Sequence, residues 1–226
     1  MVDVDVPAFR RDVSLPFEPL VRPRRESARC DGAEETFVPP PLDVRAFLDL
    51  EGGYLVGYNS GEWGGGLYWY DRAGALLQVV SRTQVRWMFP TRRGALVVGG
   101  FAHQGLERGE VLRLEASEGR WTSHVLHLPS APTALWFESE ASVLLAAWAG
   151  LTRVRWGEDT EDFTLEPLHE AQGTWTHVTS IAQEPDGSIF LGAAHVVVRL
   201  RPDGDGYAEH WLVPQGPRSE RRPENE

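Results

Sequence analysis

Residues 52–71, GGYLVGYNSGEWGGGLYWYD, read as an apolar run, a glycine-rich turn and an aromatic run. The same order returns three more times. The apolar runs are YLVGY (54–58), ALVVGG (95–100), SVLLAAW (142–148) and SIFLGAA (188–194), each preceded by turn residues, EGG, TRRG, ESEA and EPDG. A small residue recurs at Gly57, Gly99, Ala146 and Gly192, in steps of 42, 47 and 46 residues. The runs that follow, LYWY, VLRL, TRV and VVRL, repeat Tyr70, Leu114, Val154 and Leu200 in steps of 44, 40 and 46. Two independent positions keep one period, so the chain reads as copies of a single β unit.

The second run of each unit is apolar without alternation, which requires cover on both faces. The fourth runs, LLQVVS, WTSHVLHL, FTLEPL and AEHWLVP, are mixed and more polar. Burial that falls from an inner to an outer strand, in units of four short strands, predicts the blades of an all-β propeller, with small residues at the crowded axis. Four blades are clear, and the N-terminal segment is a candidate degenerate fifth. Nine tryptophans fit as wedges between blades. The stretch ASVLLAAWAGL (141–151) is rich in helix formers, yet its register with three non-helical copies predicts a strand.

Residues 1–43 are proline-rich, and prolines at 16, 19, 23, 39, 40 and 41 exclude a central strand or a continuous helix. The segment is expected to supply an edge strand or a wrap, followed by the repeats over 44–214. Residues 215–226, polar and proline-flanked, are expected to be disordered. The opening MVDVDVPAFRRDVSLPF lacks the apolar core of a secretory leader, and no run is long enough to span a membrane, so a cytoplasmic location is expected.

All 22 basic residues are arginine. A chain without lysine has no Schiff base for pyridoxal phosphate and no P-loop lysine for a nucleotide. A lone cysteine, Cys30, excludes an internal disulfide and a cysteine-clustered zinc site. The net charge of -11 disfavours nucleic acid, whose binding needs a basic stripe, and suits a basic protein partner.

The combination YLVGYNSGEWGGGLYWYDRAG, GGFAHQG, LPSAP and EHWLVP resembles a group of small, uncharacterised bacterial propeller-like proteins over most of residues 47–214. More loosely it is similar to WD-repeat and NHL-like propellers, though without the WD dipeptide. The resemblance implies the fold and brings no chemistry with it.

In a four-stranded blade the first-to-second and third-to-fourth turns share one end, and the second-to-third turns and inter-blade links share the other. The first end collects Glu51, Asp71, Glu115, Glu118, Glu138, Glu140, Glu184, Asp186, Asp203, Asp205 and the run Glu158, Asp159, Glu161 and Asp162. Turns favour aspartate in any case, but the opposite turns are not acidic. A one-sided acidic field steers a basic partner, as an inhibitor or immunity-type protein against a basic nuclease requires. The run 158–162 is the expected contact, and the favoured role is non-enzymatic protein binding.

The other end collects Glu62, Trp63, His103, Gln104, Trp148, Trp175, His177 and His195. His103, His177, His195 and Glu62 are candidate metal ligands, since imidazole and carboxylate suit zinc, manganese or iron. In the alternative enzymatic reading, a hydrolase or lyase, His103 or His195 acts as general base and Glu62 orients it or serves as acid. Trp63, Gln104, Trp148, Trp175 and His177 are candidate ligand contacts, against the ordinary role of tryptophan in blade packing. His124 and His127 point to opposite faces of one strand, His169 and His210 fall on outer strands, and all four read as surface residues.

Overall fold

The computed structural model describes residues 44–104, 106–157, 162–171, 175 and 178–213. The expected edge strand within residues 1–43 and the tail 215–226 lie outside them. The described strands form four four-stranded sheets, each a meander in chain order. The first holds β1 (Val44–Leu50), β2 (Gly53–Asn59), β3 (Gly65–Tyr70) and β4 (Leu76–Ser81), with a 3-10 turn at Gly61–Trp63 between β2 and β3. The second holds β5 (Val85–Thr91), β6 (Gly94–His103), β7 (Leu106–Ser117) and β8 (Arg120–Leu128). The third holds β9 (Pro132–Ser139), β10 (Ser142–Ala147), β11 (Gly150–Trp156) and β12 (Phe163–Glu170). The fourth holds β13 (Ser180–Gln183), β14 (Ile189–Gly192), β15 (Val197–Asp203) and β16 (Gly206–Leu212). The fold class is therefore all-β, built of four propeller-type blades, and it divides into two compact units of two blades each, with a boundary after Pro132.

Each repeated position has a physical cause. Tyr70, Leu114, Val154 and Leu200 are all fully buried. The small positions lie on the second strands, and at the three glycines among them a neighbour leaves no room for a side chain. A methyl on Gly57 would sit 2.6 Å from Val85 Cγ1, and one on Gly99 would sit 2.3 Å from Thr83 Cγ2 and 2.7 Å from the Gln84 carbonyl. At Gly192 it would sit 2.3 Å from Ser180 Oγ. The stretch 142–147 is strand β10, with Val143, Leu144, Leu145 and Ala146 buried, so tertiary cover overrides helix propensity there.

In the first unit a core of Leu55, Leu67, Trp69, Val97, Leu112 and Leu114 joins blades one and two. Trp69 meets Trp121 edge-on at 5.4 Å, and the Gln78 amide donates to the Trp121 carbonyl at 2.8 Å and accepts from its N–H at 2.9 Å. Gln78 thus serves β8 as one peptide unit of a neighbouring strand would. On the other face of blade one, Tyr58, Tyr68 and Tyr70 pack with Val56. Burial raises the Tyr70 phenol far above its ordinary range, and its bond with Tyr58 adds to this.

In the second unit Leu144, Leu151, Trp175, Ile181, Ile189, Leu191 and Leu200 share one core. The wedge role expected of nine tryptophans holds for Trp69, Trp121 and Trp175. Trp63, Trp136, Trp148 and Trp211 are exposed instead.

A charged network crosses blade three. Arg153 reaches Glu138 at 2.6 Å and 2.8 Å and Glu166 at 3.2 Å, Ser142 donates to Glu138 at 2.8 Å, and Arg155 reaches Glu166 at 2.6 Å. Burial pushes the Glu138 carboxyl up, but the Arg153 and Ser142 hydrogen bonds and the two guanidinium charges outweigh it, so its pKa falls below the ordinary 4.5. A carboxyl with a depressed folded pKa stabilises the fold above its unfolded pKa and loses that contribution as pH falls through the folded value.

Two outcomes are expected. Gly99→Ala costs about 1–3 kcal/mol in urea unfolding through overpacking, whereas Gly206→Ala, whose methyl meets nothing within 4 Å, leaves the midpoint nearly unchanged. Arg153→Met costs about 3 kcal/mol at neutral pH, because Glu138 keeps the Ser142 hydrogen bond but loses its guanidinium partner in a largely buried site. The wild-type chain loses more stability than Arg153→Met on acidification below about pH 4.5, which thermal melts across pH will show.

Candidate functional site

The β6–β7 hairpin is the longest among the described strands. Its register runs from Gly94↔Glu115 to His103↔Leu106, whereas β5 pairs with β6 only as far as Gly99, and β8 pairs with β7 only from Gly109. Residues beyond Gly100 on β6 and before Gly109 on β7 therefore extend as a two-stranded ribbon past the blade. Gln104, at the tip, has φ +48°, a left-handed conformation suited to a tight hairpin turn. Across the ribbon from His103 stands Leu106, 70% exposed.

Beside this ribbon lies the 3-10 turn of blade one. Trp63 N–H donates to the Ser60 carbonyl at 3.1 Å, Ser60 N–H to the Gly64 carbonyl at 2.8 Å, and Gly64 N–H to the Gly61 carbonyl at 3.1 Å. Asn59 Oδ1 accepts from the Gly61 N–H at 3.0 Å, and the amide of Gln84, in the link to the next blade, donates to the Gly61 carbonyl. Gly61 and Gly64 have φ of +58° and +97°, which glycine alone adopts without strain. His103 Nε2 lies 3.0 Å from Glu62 Oε2, joining ribbon and turn.

Of the three side chains the sequence assigned to acid–base work, Glu62 and His103 are brought together in the first unit and His195 is not among them, with Trp63 next in sequence to Glu62 and 45% exposed. The imidazole and carboxylate are 41% and 46% exposed, and the Phe101 ring lies 6.0 Å from His103. The pair is therefore oriented yet open to water. Gln104 is exposed at the ribbon tip.

Of the remaining candidates, Trp148, Trp175 and His195 belong to the second unit. Trp148, 56% exposed, occupies the β10–β11 turn, and His195 is exposed between β14 and β15. Trp175 is 2% exposed and offers no open face: its indole stacks on His169 at 5.6 Å and donates to Glu209 at 3.3 Å. His177, Glu158, Asp159 and Glu161 lie outside the described residues, and Asp162 is exposed. Among the described residues no three histidine, cysteine, aspartate or glutamate side chains converge on one point where an ion would sit.

Several acids of the first-to-second and third-to-fourth turns have intramolecular work. Asp71 Oδ1 accepts from the N–H groups of Ala73 and Ala75, and Asp186 accepts from the N–H and hydroxyl of Ser188, which lowers its pKa. Glu115 pairs with Arg113 at 2.9 Å, and Glu138 belongs to the Arg153 network. Turn and strand chemistry accounts for these four, while Glu51, Glu118, Glu184, Asp203 and Asp205 stay exposed.

One polar cluster escaped the sequence. His169, read as a surface residue, is 8% exposed and lies 2.8 Å from a Glu209 carboxylate that is 1% exposed. Glu209 also accepts from Trp211 at 2.6 Å. The carboxylate ties outer strands β12 and β16 and Trp175 of the inter-blade link into one buried knot. A histidine and a glutamate 40 residues apart carry no local signal; only the shared position on outer strands of successive blades points to them.

No family model and no curated protein matches the chain. Among solved structures it is similar to a gluconolactonase from Xanthomonas campestris, at 13% identity and a TM-score of 0.38, over 71% of this chain and 59% of that one. The chain spans about three fifths of that protein's length, and a likeness at this level carries no argument for a shared reaction.

Proposed function

We propose that the chain is a non-enzymatic protein-binding module for a basic partner, and that its contact surface is the 3-10 turn and hairpin ribbon of the first unit. One observation carries the reading: Trp63 is half exposed on a turn that five hydrogen bonds and the Glu62–His103 contact hold in place. A large aromatic side chain on a fixed turn loses little conformational entropy on binding, which is how interface anchors act. Leu106 at the ribbon tip adds apolar area, and the net charge of -11 draws a basic partner. In this reading the exposed acids, Asp162 among them, speed the encounter, and the turn and ribbon hold the partner.

The Glu62–His103 geometry also favours a second reading, in which the carboxylate orients the imidazole as a general base toward a small ligand, in the manner of a hydrolase or lyase. The two readings separate by mutation. A basic partner isolated on the immobilised chain is purified and titrated back by calorimetry. Trp63→Ala is expected to weaken it by about thirtyfold, while Glu118→Gln with Asp203→Asn lowers the association rate and leaves dissociation unchanged. An unchanged affinity in Trp63→Ala refutes the binding surface. Turnover of an ester or sugar-acid substrate that is lost in His103→Gln and retained in Trp63→Ala establishes the enzymatic reading instead.

A further inference from the structure

The chemistry around Trp63 narrows what the partner must present there. Gly61 and Gly64 flank Glu62 and Trp63, and a methyl added to either glycine would meet no atom of the described residues within 4 Å. The Glu62 carboxylate is half exposed and meets His103 through one of its two oxygens, Oε2. A carboxylate in that setting repels anions, and a cation adds charge attraction to the hydrogen bond that a neutral donor would also form with it. The adjacent indole is the aromatic surface best suited to a cation. Arg108 lies on the ribbon as a local positive charge, with Glu107 beside it, and Glu107 Oε1 accepts from the Ala131 N–H at 3.2 Å.

Resting on the binding reading above, we infer that the Gly61–Gly64 turn receives a cationic side chain of the partner, an arginine or a lysine. Glu62 supplies the charge and Trp63 the aromatic surface. Leu106, paired in register with the His103 that contacts Glu62, takes an apolar residue beside that cation. The partner's contact segment is thus a basic residue next to an aliphatic one, held at the turn and ribbon.

The probe is the capped peptide Gly-Arg-Leu-Gly, compared with the same peptide carrying citrulline, a neutral isostere of arginine. Binding is read at millimolar concentration from the Trp63 indole N–H resonance of the full chain, assigned with Trp63→Phe. The arginine peptide is expected to shift this resonance, and citrulline to bind about tenfold more weakly. Glu62→Gln, an exposed and conservative change checked by its melting temperature, removes the difference between the two. Equal binding of both peptides, or an arginine preference that survives Glu62→Gln, overturns the cation assignment. Partner affinity lost in Trp63→Ala but untouched by Glu62→Gln overturns the cation assignment and leaves the binding surface standing. Partner affinity indifferent to Trp63→Ala overturns both.

Discussion

The structure of the first unit depends on a close approach between blades that only a missing side chain permits. Val85, the first residue of β5, lies where a methyl on Gly57 would be, and Thr83 and the Gln84 carbonyl lie where a methyl on Gly99 would be. Dispersion contacts and apolar burial are won at this distance, and they are lost if the strands are forced apart. With the second strands pinned there, each meander runs outward through progressively wetter strands, from the buried β2 and β6 to the half-exposed β4 and β8. The segment that makes the approach, Thr83 to Val85, also reaches the turn: the Gln84 amide donates to the Gly61 carbonyl and so ties the packing contact to the turn that carries Trp63.

The proposed function follows from what that scaffold leaves outside. The β6–β7 ribbon extends past its neighbours because β5 and β8 stop short of it, and the contact of His103 with Glu62 ties it to blade one. A ribbon with an exposed apolar tip, set against a locked turn with an exposed indole, offers a fixed surface in place of a mobile loop. In the first-to-second and third-to-fourth turns and their flanking strands, four acids are spent on capping turns and on arginine pairs. The exposed charge that remains is suited to long-range attraction and not to short-range fit, which is why steering and holding are assigned to different residues.

The repeat made most of the fold legible. Period and strand order were readable because Tyr70, Leu114, Val154 and Leu200 meet the same burial in every blade, and because strand β10 keeps its register despite helix-forming residues. The juxtaposition of Glu62 and His103 was legible for a related reason, since second-to-third turns must share an end. Long-range partners were not. Arg153 finds Glu138 on a strand two removed from its own, and His169 finds Glu209 on the next blade, so neither pairing follows from local spacing. The tryptophans divide the same way: Trp69 and Trp175 are covered by neighbouring strands, whereas Trp63 and Trp148 sit in turns and stay about half exposed.

The central claim is that binding occurs at the locked turn and ribbon of the first unit. Hydroxyl-radical footprinting of the chain, alone and saturated with its purified basic partner, tests this most directly, because tryptophan and leucine are both readily oxidised when exposed. Protection of Trp63 and Leu106, with Trp136 and Trp211 reacting as before, is the predicted result. Full reactivity of Trp63 and Leu106 in the complex, with protection confined to the acidic turns, contradicts it.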